Sequence, residues 1–302
     1  MSHKDLNSLR EHLNNLKNKK RIDQTSDINL EFYRNHESIR DLALSEKEFK
    51  QHFGVIVRMI KEREMMSINP KTPPFYRSQL IRNTNGKLEV ISVPNAETYT
   101  LLQIKNHYLI RDFPDDKLKI LIDTESIGKE IDQSKKAVLH YYEDVLKNPK
   151  RANGIFVYGA VGIGKTYTAI ALANELAKRE KWVAFVNCAE IAYKLKQGFD
   201  QPNSVNDAIV NKMKQADVLF LDDIGAEDEK IWFYNNYLMI ILNYRMDHKK
   251  LTFFNSNLSL EAFGRKLSNL MYKSFNAERL IERIRALTKN KAMEIIGKNL
   301  RY

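Results

Sequence analysis

Apolar residues recur at two periods along this chain, and the change of period marks where the architecture changes. In the first third they fall at helical spacing: Leu6, Leu9, Leu13 and Leu16, then Ile39, Leu42 and Leu44, then Phe49, Phe53, Val57 and Ile60. Each set shares one face of a helix. Such stripes build a small helical core or dock a partner helix, and the pattern alone leaves both open. Residues 70–74 carry prolines and break the helical period. Residues 77–93 then read as a β-hairpin, because Asn85-Gly86 is a strong turn dipeptide between short apolar runs. Residues 101–122 show no clear period and are expected to link two domains. A helix is expected over 132–146, followed by the breaker Asn148-Pro149-Lys150.

From residue 155 onward the pattern alternates. Ile155-Phe156-Val157-Tyr158, Trp182 to Val186, Val218 to Leu221 and Leu251 to Phe254 read as strands, and 292–296 as a last short one. Helical stretches separate them. Alternating strands and helices predict an α/β fold with a parallel five-stranded sheet covered by helices. The predicted division is a smaller, mostly helical N-terminal domain with a hairpin over 1–110, a linker over 111–150, and the α/β domain over 151–302.

The chemistry begins after the first of those strands. Gly159-Ala160-Val161-Gly162-Ile163-Gly164-Lys165-Thr166 fits the P-loop pattern, and Tyr167 continues into an apolar-striped helix. Glycines let backbone N–H groups approach an anion, and the helix start adds partial positive charge. Lys165 is expected to reach the β- and γ-phosphates of a nucleotide, and Thr166 to place its hydroxyl on Mg²⁺. The run Val218-Leu219-Phe220-Leu221 ends in Asp222-Asp223. Acids at the carboxyl end of a buried parallel strand sit where open α/β sheets bind ligands. Asp222 is the expected metal-side carboxylate and Asp223 the candidate base that orients the attacking water. Asn255-Ser256-Asn257 follows the fourth strand. An amide there can sense the γ-phosphate, with Asn255 the first choice and Asn257 the second, although both are also ordinary turn residues.

Composition adds little. The 302 residues carry a formal charge of +11, with pI about 9.4. That balance fits a polyanion partner and fits an AT-rich base composition of the gene, which inflates Lys, Asn and Ile, equally well. Cys188 is the only cysteine, which excludes an intrachain disulfide and a multi-cysteine zinc site. No apolar run approaches the ~20 residues of a membrane span, so a soluble, cytoplasmic protein with no membrane partner is expected.

Together these segments resemble the DnaI/DnaC-type replicative helicase loaders of the AAA+ class, closer to the DnaI branch. The resemblance rests on 154–166, on Ala173-Asn174-Glu175-Leu176-Ala177, and on the run from Val218 through Asp222-Asp223-Ile224-Gly225-Ala226-Glu227. It continues through Tyr244-Arg245-Met246, Leu251 to Asn257, Arg279-Leu280-Ile281-Glu282-Arg283 and Asn299-Leu300-Arg301. It covers about half of the chain. It implies a P-loop ATPase using ATP and Mg²⁺, with Asn255 as sensor 1, Arg283 as the arginine finger, Arg279 as a second trans-acting candidate, and Arg301 as sensor 2. It also implies an N-terminal domain that grips the hexameric replicative helicase, and an ATPase domain that self-associates and binds single-stranded DNA.

One feature departs from the family pattern. DnaI-like N-terminal domains carry a Cys/His zinc site, but residues 1–100 hold no Cys, and His3, His12, His36 and His52 lack ligand spacing, so no zinc is expected. Asp223 stands where most ring-forming ATPases have Glu, and its shorter reach predicts slow hydrolysis. Candidate DNA contacts are Lys194, Lys196, Arg265, Lys266 and Lys273, with Tyr193, Phe199, Tyr272 and Phe275 as stacking candidates. Two alternatives share this core: a helper ATPase of a DNA transposase, and a nucleotide-gated adaptor with negligible turnover.

Overall fold

In the computed structural model, residues 27–68, 76–122, 132–198, 204–226, 231–270 and 276–299 are described. The leucine stripe at 6–16, the prolines at 70–74, and Phe199, Glu227, Tyr272, Lys273, Phe275, Leu300 and Arg301 lie outside them. The chain forms two compact units, Met1–Thr98 and Tyr99–Tyr302.

In the first unit, α1 (Asp27–Asn35), α2 (Glu37–Arg40) and α3 (Glu46–Ile68) accompany a hairpin of β1 (Tyr76–Arg82) and β2 (Leu88–Pro94). The hairpin pairs from Tyr76 opposite Pro94 to Arg82 opposite Leu88. Gly86 takes the left-handed φ of +76° that the turn requires. Ile39, Phe49, Ile56, Met59 and Ile60 pack with Leu80 and Leu88 into one core, with Phe53 half-buried beside it. Arg82 donates to Glu48 at 2.9 Å and to the carbonyls of Gly86 and Leu42, tying hairpin to helices. That guanidinium, with Ser45, holds the Glu48 carboxyl down at about 2.

Helix α4 (Ala96–Asn106) runs across the boundary between the units. The second unit is built on a six-stranded sheet in the order β3-β5-β6-β7-β4-β8, parallel throughout. Its strands are β3 (Tyr108–Arg111), β4 (Phe156–Tyr158), β5 (Val183–Asn187), β6 (Val218–Asp222), β7 (Leu251–Ser256) and β8 (Ala292–Glu294). The expected count of five is therefore corrected by β3. It lies in the segment read as a linker, because four residues are too few to show a period. Asn174 is why this stretch belongs here. Fully buried on the P-loop helix, it donates at 2.8 Å to the carbonyls of Lys117 and Ile120, and accepts from the Tyr108 hydroxyl at 2.7 Å.

Strand residues alternate between two cores, as parallel strands covered on both faces require. Val183, Phe185, Val218, Phe220 and Phe253 face α5 (Gln133–Lys147) and α6 (Lys165–Lys178). Ala184, Val186, Leu219, Leu221 and Phe254 face α7 (Cys188–Gln197), α8 (Ser204–Gln215), α9 (Met239–Asp247), α10 (Leu260–Leu270) and α11 (Asn276–Thr288). A turn of π-helix, Tyr234–Leu238, leads into α9. Arg245 on α9 is fully buried. It donates to Thr252 Oγ1 at 2.9 Å, and to the carbonyls of Met213, Ala216 and Leu251 at 2.9, 2.8 and 2.7 Å. Burial pushes its guanidinium down to about 9.

Candidate functional site

The carboxyl edge of the sheet carries the site. Strand β4 ends at Tyr158, and the loop 159–164 turns the chain into α6. Gly159, Gly162 and Gly164 take φ values of +144°, +83° and +98°, which L side chains rarely adopt. A Cβ on Gly159 would fall 2.2 Å from the Ile295 carbonyl oxygen, and one on Gly162 2.1 Å from Asn299 Oδ1. The loop is thus packed from behind by the segment that follows β8. Ile163 is buried in the core, whereas Val161 and Tyr167 are exposed at the mouth.

Lys165 is buried, and its ammonium donates at 2.8 Å to the carbonyls of Gly159 and Ala160 and to Asn257 Oδ1. Neutral carbonyls are weaker partners for an ammonium than phosphate oxygens. Thr166 Oγ1 donates to both oxygens of Asp222, at 3.1 and 3.0 Å. Asn255 Nδ2 donates to Asp222 Oδ1 at 2.8 Å. Burial raises the Asp222 carboxyl above the usual carboxylate range, against the lowering effect of the Asn255 and Thr166 hydrogen bonds; nearby Asp223 raises it further. A buried carboxylate with neutral donors has reason to take a cation.

Asp223 sits at φ +59°, in the left-handed region for a non-glycine residue. Asn257 Nδ2 donates to its Oδ1 at 2.8 Å. The backbone just beyond is fastened to β7: Ile224 N donates to the Asn255 carbonyl at 2.9 Å, and Ser256 Oγ to the Ile224 carbonyl at 2.7 Å. Ile224 is fully buried, and a Cβ on Gly225 would fall 2.7 Å from the Phe263 ring. Each position of the Asp-Asp-Ile-Gly run thus has its own steric or polar reason.

These groups open onto a cleft of about 810 Å³, lined by Val161, Gly162, Gly164 to Tyr167, Asp222, Asp223 and Asn257, and on its far side by residues the motifs did not reveal. The latter are Asp112, Phe113, Pro114, Lys117, Lys135 and Asn187. Asp112 accepts from Asn187 N at 3.1 Å and from Lys194 Nζ at 2.7 Å. Asp112 to Lys117 gave no signal because they follow β3, itself hidden in the segment read as a linker, while Lys135 on α5 and Asn187 at the end of β5 belong to no motif.

The expected residues separate here. Asn257 lines the cleft and bridges Lys165 to Asp223, while Asn255 is buried beneath Asp222. Arg279 and Arg283 do not line the cleft; Arg283 donates to Asn243 and to the Arg279 carbonyl. Among the expected DNA contacts, Lys194 is held by Asp112, and Lys266 donates to the Gly225 carbonyl at 2.8 Å. Lys196, Arg265 and Tyr193 are exposed. Among the described residues, no helix is long and apolar enough to cross a membrane.

Comparison with known proteins meets this geometry at the same place. The family model for IstB-like ATP binding proteins matches residues 132–295, from the start of α5 to the end of β8. The replicative helicase loader DnaI of Bacillus subtilis (strain 168) is 32% identical over 177 residues, 57% of this chain and 56% of that protein. The replicative helicase loader DnaC of Escherichia coli (strain K12) is 30% identical over 91 residues, 30% of this chain and 35% of that protein. A crystal structure of DnaI superposes with a TM-score of 0.55 at 29% identity, covering 66% of this chain and all of that one. The chain spans little more than half the length of the first curated relative, at 56%.

Proposed function

The chain belongs to the IstB-like ATP-binding protein family, and from that premise we propose that it is an ATP-dependent loader of a hexameric replicative DNA helicase onto single-stranded DNA. The observation that carries the nucleotide half is the linked set Lys165, Thr166, Asp222, Asp223 and Asn257 around one cleft. The loader half is supported by the similarity to DnaI, 32% identical over 177 residues.

In this reading the triphosphate displaces the carbonyls now around Lys165. The loop N–H groups 160–167 wrap its phosphates, and the far wall from Asp112 to Lys117 receives the base and sugar. Thr166 and Asp222, two hard-oxygen groups within hydrogen-bond reach, suit a magnesium ion. That ion would neutralise charge on the β- and γ-phosphates. Asp223, held by Asn257, orients the attacking water. Its short side chain keeps hydrolysis slow. Asn255 acts on the site through Asp222, and Asn257 reports directly on what Lys165 holds. Arg283, with Arg279 as the alternative, completes a neighbouring subunit's cleft, so ATP couples to self-association. Arg301, outside the described residues, is assigned by the resemblance alone as the sensor for the γ-phosphate of its own subunit. The first unit grips the helicase.

Co-purification with the replicative helicase, with and without ATP, followed by sizing, tests this. A defined complex that changes size with ATP is expected. No complex in either state would refute the loader reading. A complex with no multiple-turnover phosphate release would make the chain a nucleotide-gated adaptor.

A further inference from the structure

The opposite edge of the same sheet has an unusual charge. All six strands are parallel, so their amino ends lie together, away from the cleft. The segments that enter β4, β5, β6, β7 and β8 there are 147–154, 178–182, 212–217, 247–251 and 288–291. They carry twelve Lys or Arg against three Asp or Glu, a net +9 of the chain's +11.

Hydrogen bonds join these segments into one surface. Lys250 Nζ donates to the Gln215 carbonyl at 2.9 Å, Trp182 N to Asp217 Oδ2 at 2.9 Å, and Arg179 to the Leu146 carbonyl at 2.6 Å. Lys150, Arg151, Lys178, Lys249 and Lys289 are exposed, and none has a carboxylate within 4.0 Å among the described residues.

One ordinary reason exists for cations here. Helices α5, α6, α8, α9 and α11 end at this edge, and lysines complement the negative ends of helices. Magnitude limits that explanation. A helix end is equivalent to roughly half a negative charge, so five of them offset about 2.5 charges. That leaves a net of about +6 on the stretch of edge from β5 to β8, about 19 Å long from four spacings of about 4.8 Å.

Flat rings lie among the cations. Trp182 is 47% exposed and packs on His107 at 5.2 Å between centroids. Tyr244 stacks on exposed His248 at 3.9 Å, with Lys214 Nζ 5.0 Å from the Tyr244 centroid. Lys291 Nζ lies 3.9 Å from the Tyr141 centroid. Unneutralised cations interleaved with rings, Trp182 and His248 exposed and Tyr141 and Tyr244 half-buried, suit phosphates and bases together. An acidic peptide would use only the cations.

We propose that this amino edge is a docking surface for single-stranded nucleic acid, separate from the nucleotide cleft and from the contacts expected at Lys196 and Arg265. Neither ATP nor the helicase is needed for it.

The test is fluorescence anisotropy of labelled oligo(dT) on the full chain across a salt series. The variants are the reversal set K150E/R151E/K249E/K289E, the neutralising set K150Q/R151Q/K249Q/K289Q, and a comparison set K196E/R265E. Both amino-edge sets should keep the wild-type thermal shift with ATP, which confirms folding and reads the cleft independently. The reversal set should bind at least tenfold more weakly at about 0.1 M salt. The neutralising set should show a salt slope shallower by about 0.7 per contact removed. Affinity within threefold of wild type in both sets would overturn the proposal, as would a wild-type chain that does not bind oligo(dT). Equal displacement by polyglutamate at matched charge would assign the surface to an acidic protein and overturn it too.

Discussion

Each end of one parallel sheet buries an ionisable group, and the two are used differently. At the amino edge, Arg245 is fully buried, and its guanidinium is met by Thr252 and by the carbonyls of Met213, Ala216 and Leu251. Every one of these partners belongs to the fold, and Arg245 does not line the nucleotide cleft. At the carboxyl edge, Lys165 and Asp222 are nearly as buried, yet the carbonyls, amides and hydroxyl that they meet lie beside an open cleft. A ligand can improve on those partners. The lesson concerns replaceability: buried charge alone does not mark a site, whereas buried charge with weak, exchangeable partners beside open volume does.

The largest effect should come from breaking the amino-edge network. Arg245→Met leaves several carbonyls without donors and should cost about 3–5 kcal/mol of stability, read by urea unfolding. ATP affinity, measured on whatever remains folded, should be unchanged. At the other edge, Lys165→Ala should lower ATP affinity about 100-fold, close to 3 kcal/mol, with little loss of melting temperature.

Smaller substitutions sharpen the contrast. Asn257→Ala should reduce steady-state phosphate release about tenfold, because it removes the bridge between Lys165 and Asp223. Asn255→Ala should act through Asp222 and change metal dependence instead. Asp222→Asn should raise the melting temperature of the ligand-free chain by a few degrees while losing metal-dependent ATP binding.

The sign follows from burial. A carboxyl whose folded pKa is raised stabilises the fold below its unfolded pKa, and that stability is lost as pH rises through the folded value. The ligand-free wild type should therefore lose melting temperature relative to Asp222→Asn as pH climbs above the ordinary carboxylate range, and magnesium with ATP should remove the difference.

How much of this was legible beforehand depends on whether a residue's role is local. The P-loop and the paired aspartates act through their immediate neighbours, so spacing sufficed to find them. The hairpin was legible for the same reason, since Asn85-Gly86 dictates its own turn. Strand β3 was not, because a four-residue edge strand has too little length to show alternation and is held by Asn174, 66 residues away. The far wall of the cleft was hidden with it. The sequence ranked Asn255 ahead of Asn257; Asn255 lies within its strand, buried against Asp222, whereas Asn257 follows the strand and lines the cleft, a difference of register that spacing alone does not display. Arg245 was visible as part of a resembling segment, but its burial depends on three separate segments converging.

The most direct measurement for the central claim is calorimetric titration of the full chain with ATP and magnesium, run beside Lys165→Ala. The account predicts one nucleotide per chain, tighter with magnesium than without, and no resolvable heat for the variant. A wild-type chain that gives no heat, or a variant that titrates like the wild type, would contradict it.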